Sequence, residues 1–191
     1  MSYQGFTEEF VETFDNTDYS LAISLDINDI DPRILEIYTR FWNLGWLDNF
    51  GNQCFLMSDV LRKILRLHGI EAHTQEAIFD YTHPKKQWYQ RIGAPMEFAH
   101  GGMIDTHRVV VTKNLILDWA HRDSIYRQCG AMSPRAFIGN RDSNKTEQVF
   151  DFFGRGKWTS KKNHVDSKNI VILQRDTVRQ LVHEYFNTYR V

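Results

Sequence analysis

Residues 51–69 read Gly51-Asn52-Gln53-Cys54-Phe55-Leu56-Met57-Ser58-Asp59-Val60-Leu61-Arg62-Lys63-Ile64-Leu65-Arg66-Leu67-His68-Gly69. Met57, Val60, Leu61, Ile64, Leu65 and Leu67 or His68 recur at the spacing of one helix face. Asp59, Arg62, Lys63 and Arg66 fill the other. Gly69 falls where a helix-ending residue in the left-handed conformation belongs, and glycine takes that conformation without a Cβ clash. The stretch therefore reads as a loop that delivers a cysteine to the first turn of an amphipathic helix. A thiol at such an end meets unpaired backbone N–H groups and the positive pole of the macrodipole, and both favour thiolate. The plainer alternative for Cys54 is a small buried hydrophobe, the usual role of an unpaired cysteine.

Composition bounds the problem. A chain of 191 residues suits one domain, and 42% hydrophobic with 25% charged residues is a globular balance. The net charge of −1 gives no reason to expect a nucleic-acid or anionic-membrane partner. The opening Met-Ser-Tyr-Gln-Gly-Phe-Thr lacks the basic and apolar regions of a signal peptide. No stretch approaches the roughly 18 apolar residues of a membrane span. A cytoplasmic location is the expectation, with Cys54 and Cys129 both reduced.

Working outward, Asp31-Pro32 opens a helix, with an acceptor at the N-cap and proline at N1. Ile34, Leu35, Tyr38, Phe41 and Trp42 form its apolar face, and it should end near Gly45. Residues 46–53 read as a loop into the cysteine helix. Residues 6–14 suggest a short helix striped by Phe6, Phe10, Val11 and Phe14, and 21–27 a strand. Beyond Gly69, residues 70–79 read as a strand, and 81–95 as a polar-aromatic excursion from the sheet. His107-Arg108-Val109-Val110-Val111 and Leu115-Ile116-Leu117-Asp118-Trp119, joined by a turn at Lys113-Asn114, give the best hairpin signal. Residues 133–164 read as loops with one short helix, and 169–173 as a short buried strand. Asp176 then caps a last helix, with Val178, Leu181, Val182, Tyr185, Phe186 and Tyr189 on one face.

A cysteine nucleophile needs a base within hydrogen-bond reach, and the base needs a group that fixes its tautomer. With the turn at 113–114, His107 and Asp118 fall close to opposite each other on paired strands. The carboxylate of Asp118 could then hold His107 Nδ1–H and turn the other nitrogen toward Cys54. Trp119, next to Asp118, would either screen that pair from water or pack in the core.

Cysteine opening a helix, histidine on a strand and aspartate on the paired strand: in this order and context, residues 45–120 resemble the transglutaminase-like branch of the papain-like cysteine enzymes. The matching stretches are Gly51–Phe55, the helix-to-strand exit Leu65-Arg66-Leu67-His68-Gly69-Ile70-Glu71-Ala72, and the two hairpin arms. The resemblance implies an α+β, papain-like fold: N-terminal helices, and the cysteine helix packed on an antiparallel sheet. One domain would span 1–191, its core 31–120 plus a C-terminal strand and helix at 168–190. It implies Cys54 as nucleophile, His107 as base and Asp118 as orienting acid. Gln53, or Asn52, would offer a side-chain amide to the oxyanion beside the Cys54 N–H. Two positions depart from the family pattern. Phe55 stands where tryptophan is common, and the cationic Arg108 follows the histidine where a small residue is usual.

The activity implied is acyl transfer from an amide or peptide bond through a thioester, without a cofactor, on a protein or peptide. Water as acceptor makes a protease or amidase; an amine makes a conjugating enzyme. Two rivals are weighed beside it. One is a catalytically inactive binding domain on the same scaffold, motivated by Arg108 and by the loop-rich stretch 133–164. The other is a metal site drawn from His100, His107, His121 and Cys129, whose spacings match no compact zinc pattern. His68, His73, His83, His164 and His183 read as structural or solvated.

Overall fold

The computed structural model describes residues 21–50, 53–82, 89–92, 107–120, 135–152, 154–161 and 171–190. The helix expected over 6–14 lies outside them, as do Asn52, His100, His121 and Cys129.

Helix α1 (Pro32–Asn43) begins where the acceptor and the proline put it, the Asp31 side chain accepting the Arg33 N–H at 3.0 Å. Ile34, Ile37, Tyr38 and Phe41 are its buried face. Gly45, at φ +69°, turns the chain, and helix α2 (Trp46–Asn49) follows where a loop was expected. Trp46 and Leu47 are buried, which fixes that single turn against the core. The cysteine helix is α3 (Cys54–Leu67), closing on Gly69 at φ +75°. Ile70 N–H bonds Leu65 O at 2.9 Å and Gly69 N–H bonds Arg66 O at 3.0 Å, the paired bonds of a glycine-terminated helix end.

Among the described residues eight strands form one sheet: β1 (Leu21–Ser24), β2 (His73–Thr82), β3 (Tyr89–Ile92), β4 (His107–Val111), β5 (Leu115–Asp118), β6 (Ala136–Asn140), β7 (Glu147–Phe152) and β8 (Gly154–Ser160). Their order is β1-β6-β5-β4-β2-β8-β7, with β3 also on β2. β1 runs parallel to β6 and every other pair is antiparallel, so the sheet is mixed rather than purely antiparallel. β1 and β7 come into contact, so the sheet curls toward a barrel.

Three further expectations are corrected. β2 starts at His73 and runs to Thr82, and the excursion after it carries β3 back along β2. Residues 133–164 hold β6, β7 and β8 rather than loops. Their glycines and polar residues resemble a loop in composition, yet in β8 Gly156 and Trp158 point inward while Arg155 is exposed, a period of two. Residues 171–173 are helical, not a strand, with Ile172 and Leu173 exposed. A short apolar run does not by itself separate the two states. The last helix, α4 (Arg175–Tyr189), is capped at Gln174, and Asp176 lies in its first turn.

The two faces of the sheet differ. α1, α3 and α4 cover one, in a core that joins Ile34, Phe41, Leu61 and Ile64 to Val110, Leu117, Ile138 and Tyr185. The other carries an aromatic stack. Phe79 lies 4.5 Å from Trp158, Trp158 4.6 Å from Phe137, and Phe137 4.9 Å from Phe150.

Candidate active site

Cys54 is the first residue of α3, partly exposed, because the chain enters the helix at Gln53. Met57 N–H closes the first turn onto Gln53 O at 2.9 Å. The N–H groups of Cys54, Phe55 and Leu56 therefore have no acceptor within the helix and gather at its mouth. Gln53 is exposed and makes no side-chain capping bond; its backbone N–H donates to Phe50 O at 2.9 Å. Of Gln53, only the side-chain amide is left to turn toward a ligand at the thiol.

His107 opens β4 and Asp118 closes β5. Val110 faces Leu117 and Val111 faces Ile116. Continuing that register puts Asp118 opposite Val109, so His107 and Asp118 are diagonal neighbours rather than an opposed pair. An offset of two keeps both side chains on one face. Their bond is 2.6 Å, from His107 Nε2–H to Asp118 Oδ2, with both residues at 1% exposure or less. The nitrogen differs from the Nδ1 expected. A diagonal partner lies further off than an opposed one, and Nε2 is the ring nitrogen further from Cβ. Nε2 is thus taken by Asp118, and the Cys54 side chain lies close enough to the imidazole to help hold its proton.

The electrostatics follow from this chain of contacts. Burial alone would push the His107 pKa down. The charge of Asp118 and its hydrogen bond, with smaller contributions from Cys54, outweigh burial and push it up to about 10. Near neutral pH the imidazole holds its proton.

Trp158 is a site residue that sequence reasoning missed. Its indole Nε1–H donates to Asp118 Oδ2 at 2.7 Å, the same oxygen that His107 uses, and Ala120 N–H approaches Oδ1 at 3.3 Å. Three donors thus hold one buried carboxylate. Trp119 is not the indole at this pair: it lies in the helix-side core, edge-on to Tyr38 and Phe41. The alternating inward positions Gly156 and Trp158, after the turn-rich residues 141–146, were the available signal.

Arg108 turns away from His107, as the strand period requires. Its Nη2 donates to Thr74 Oγ1 at 2.8 Å, its Nη1 lies 3.4 Å from Asp59 Oδ2, and its guanidinium carbon sits 5.0 Å from the Phe55 ring centre. Ser58 Oγ–H donates to Arg108 O at 2.8 Å. The two departures from the family pattern, Phe55 and Arg108, pack against each other and tie α3 to β4.

Of the four residues of the metal alternative only His107 is described, and its Nε2 is on Asp118. Among the described residues no group of three or more His, Cys, Asp or Glu could hold a metal ion. Among them also, no helix is long and apolar enough to cross a membrane.

No family model matches this chain, and no curated protein matches it. A solved structure, "The crystal structure of genomics APC5867", aligns at 10% identity with a TM-score of 0.43. The alignment covers 70% of this chain and 64% of that one, so this chain spans under two thirds of that protein's length.

Proposed function

We propose that this chain is a cysteine-dependent acyl-transfer enzyme that cleaves an amide or peptide bond through a thioester. The observation that carries the reading is the Cys54 side chain beside the His107 imidazole, which is hydrogen-bonded in turn to Asp118. The proposal extends the transglutaminase-like resemblance from residues 45–120 to fold and activity.

The steps follow from the groups present. The Cys54 thiolate attacks the carbonyl carbon, and the oxygen takes the electron pair. The Cys54 N–H at the helix mouth donates to that oxygen, and the Gln53 amide is its second candidate donor. The tetrahedral adduct collapses, the C–N bond breaks, and the His107 imidazolium gives its proton to the departing amine. Water then adds to the thioester, His107 takes its proton, and the C–S bond breaks to release the acid. Asp118 keeps the imidazole oriented throughout, and Trp158 keeps Asp118 oriented. Water is the preferred acceptor because it needs no binding element of its own. An amine acceptor would use the same residues.

A peptide vinyl sulfone, which alkylates activated thiolates, tests the reading. Cys54 should react far faster than Cys129, and His107→Gln should remove that advantage while the fold, read by circular dichroism, persists. Equal, slow labelling of both cysteines in the wild type would favour the binding-domain alternative instead.

A further inference from the structure

Cys54 and His107 are the first residues of α3 and β4, and element ends fray unless side chains hold them. Further along, the two elements meet through apolar side chains: Leu61, Ile64 and Leu65 of α3 share a core with Val110 of β4. Apolar burial has no direction, so it holds the layers together without fixing how far one has slid along the other. Directional contacts gather at the end that carries the thiol. Phe55 follows Cys54 in the chain, Arg108 follows His107, and the Arg108 guanidinium carbon stands 5.0 Å over the centre of the Phe55 ring. Ser58, one turn on from Cys54, donates its Oγ–H to Arg108 O at 2.8 Å. Thr74 Oγ1 of β2 accepts from Arg108 Nη2 at 2.8 Å and holds the guanidinium from the sheet side. Phe55, Ser58 and Arg108 are each 8% exposed or less.

Stability alone is a poor reason for an arginine here. Its Nη1 lies 3.4 Å from Asp59 Oδ2, long for a hydrogen bond, and its buried Nε has no hydrogen-bond partner among the described residues. An apolar side chain of similar size would join the layers without the cost of desolvating a charge. Asp59, and Glu76 opposite Arg108 in register on β2, answer that charge, but a lysine would answer it as well. A lysine lacks the flat, delocalised face that stands over the Phe55 ring. What the arginine adds is a fixed register between helix and strand, the best-attested use of a buried polar contact. Consecutive Cα atoms are about 3.8 Å apart, so a contact between the residues that follow Cys54 and His107 constrains Cys54 and His107 themselves.

We propose that Phe55, Ser58 and Arg108 form a clasp that sets the separation of the Cys54 sulfur and the His107 imidazole. They are positioning residues for the reaction proposed above, a role that rests on that reading. Successive strand residues face opposite sides, so Arg108 grips the helix without occupying the side of the sheet on which His107 lies. With the clasp open, α3 slides on β4, the sulfur leaves the imidazole, and the thiol titrates as a free cysteine near about pH 8.5.

The rate of alkylation by a peptide vinyl sulfone, followed separately at Cys54 and Cys129 as a function of pH, tests the clasp. Arg108→Lys keeps the charge and loses the flat face; Phe55→Leu loses the ring and strands no charge. In each, Cys54 labelling near neutral pH should fall by about ten- to a hundredfold, with the fold intact by circular dichroism. The pH profile of Cys54 should move to that of a free thiol. The double variant should be no slower than the slower single, because either change opens the same clasp. Phe55→Tyr, which keeps the ring, should retain the wild-type profile. Single variants that lower the unfolding midpoint but leave the Cys54 rate and profile unchanged would make the cluster a packing device and overturn the proposal. Additive losses in the double variant would overturn it too. A wild-type Cys54 that labels no faster than Cys129 is a separate failure: it removes the nucleophile itself, and the clasp with it.

Discussion

Asp118 and the two side chains that share its Oδ2 decide most of what single substitutions will do. A His107 pKa of about 10, against an ordinary 6.5, means that the folded chain binds this proton more tightly than the unfolded one. The resulting stability is whole below about pH 6.5 and is lost as pH climbs through about 10. Urea unfolding should therefore give a falling free energy across that window in the wild type, and a nearly flat one in Asp118→Asn, which removes the charge holding the proton. A wild-type curve that rises there would contradict the ion pair. Trp158→Phe keeps the ring stacked between Phe79 and Phe137 and deletes only the Nε1–H. A hydrogen bond to a charged group contributes about 1.5–3 kcal/mol, and a loss of that size is expected by chemical denaturation. Freed from one donor, Asp118 can rotate, so turnover should fall with little change in KM. If Trp158→Phe lowers stability yet leaves kcat and its pH profile unchanged, the indole serves packing alone.

The joint between α3 and β4 rests on Arg108. Removing one partner of a buried ion pair costs roughly 3–5 kcal/mol because the other charge stays buried. Asp59 keeps a weaker contact to Arg62, so Arg108→Ala should cost about 3 kcal/mol in denaturant unfolding. Arg108→Met with Asp59→Leu should recover most of it, since no charge is then stranded. A loss under about 1 kcal/mol in the single variant would mean that the pair is no more than a surface contact. Which elements could be read in advance follows from how local their signals are. α1 and α3 announce themselves through Asp31-Pro32, a periodic face and Gly69, all close in the chain. The β4–β5 hairpin is equally local: a turn fixes its register, and the register puts His107 and Asp118 on one face. The Nε2 contact was not legible, because it depends on a two-residue diagonal rather than on the choice of face. β6, β7 and β8 were missed because the stretch 133–164 that holds them interleaves their apolar residues with Gly, Ser, Asn and Lys. Their inward positions acquire meaning only against Phe79, far back in the chain. Trp158 was hidden for the same reason, and Arg108 could be read as a cation but not as one turned toward α3.

At the scale of the whole molecule, the thiol and the imidazole belong to different layers. Cys54 comes from a helix and His107 from the sheet it packs on, while Trp158 arrives on a strand paired to the far edge of β2. Two sources of activation for Cys54 can therefore be separated. If the helix end alone activates the thiol, reactivity survives wherever α3 survives. If the imidazole does it, reactivity requires the helix docked on the sheet. The closeness of the Cys54 side chain to His107 favours the second. In a denaturant series the labelling advantage of Cys54 over Cys129 should then collapse at the same midpoint as the tertiary signal of the buried tryptophans, as two-state unfolding requires. An alcohol that retains helix while dissolving tertiary packing should abolish it too. Cys54 selectivity that outlasts tertiary structure under either condition would transfer the activation to the helix end and leave His107 and Asp118 a structural pair. Loss at the common midpoint, together with loss in His107→Gln under native conditions, would tie the thiol's chemistry to the assembled fold.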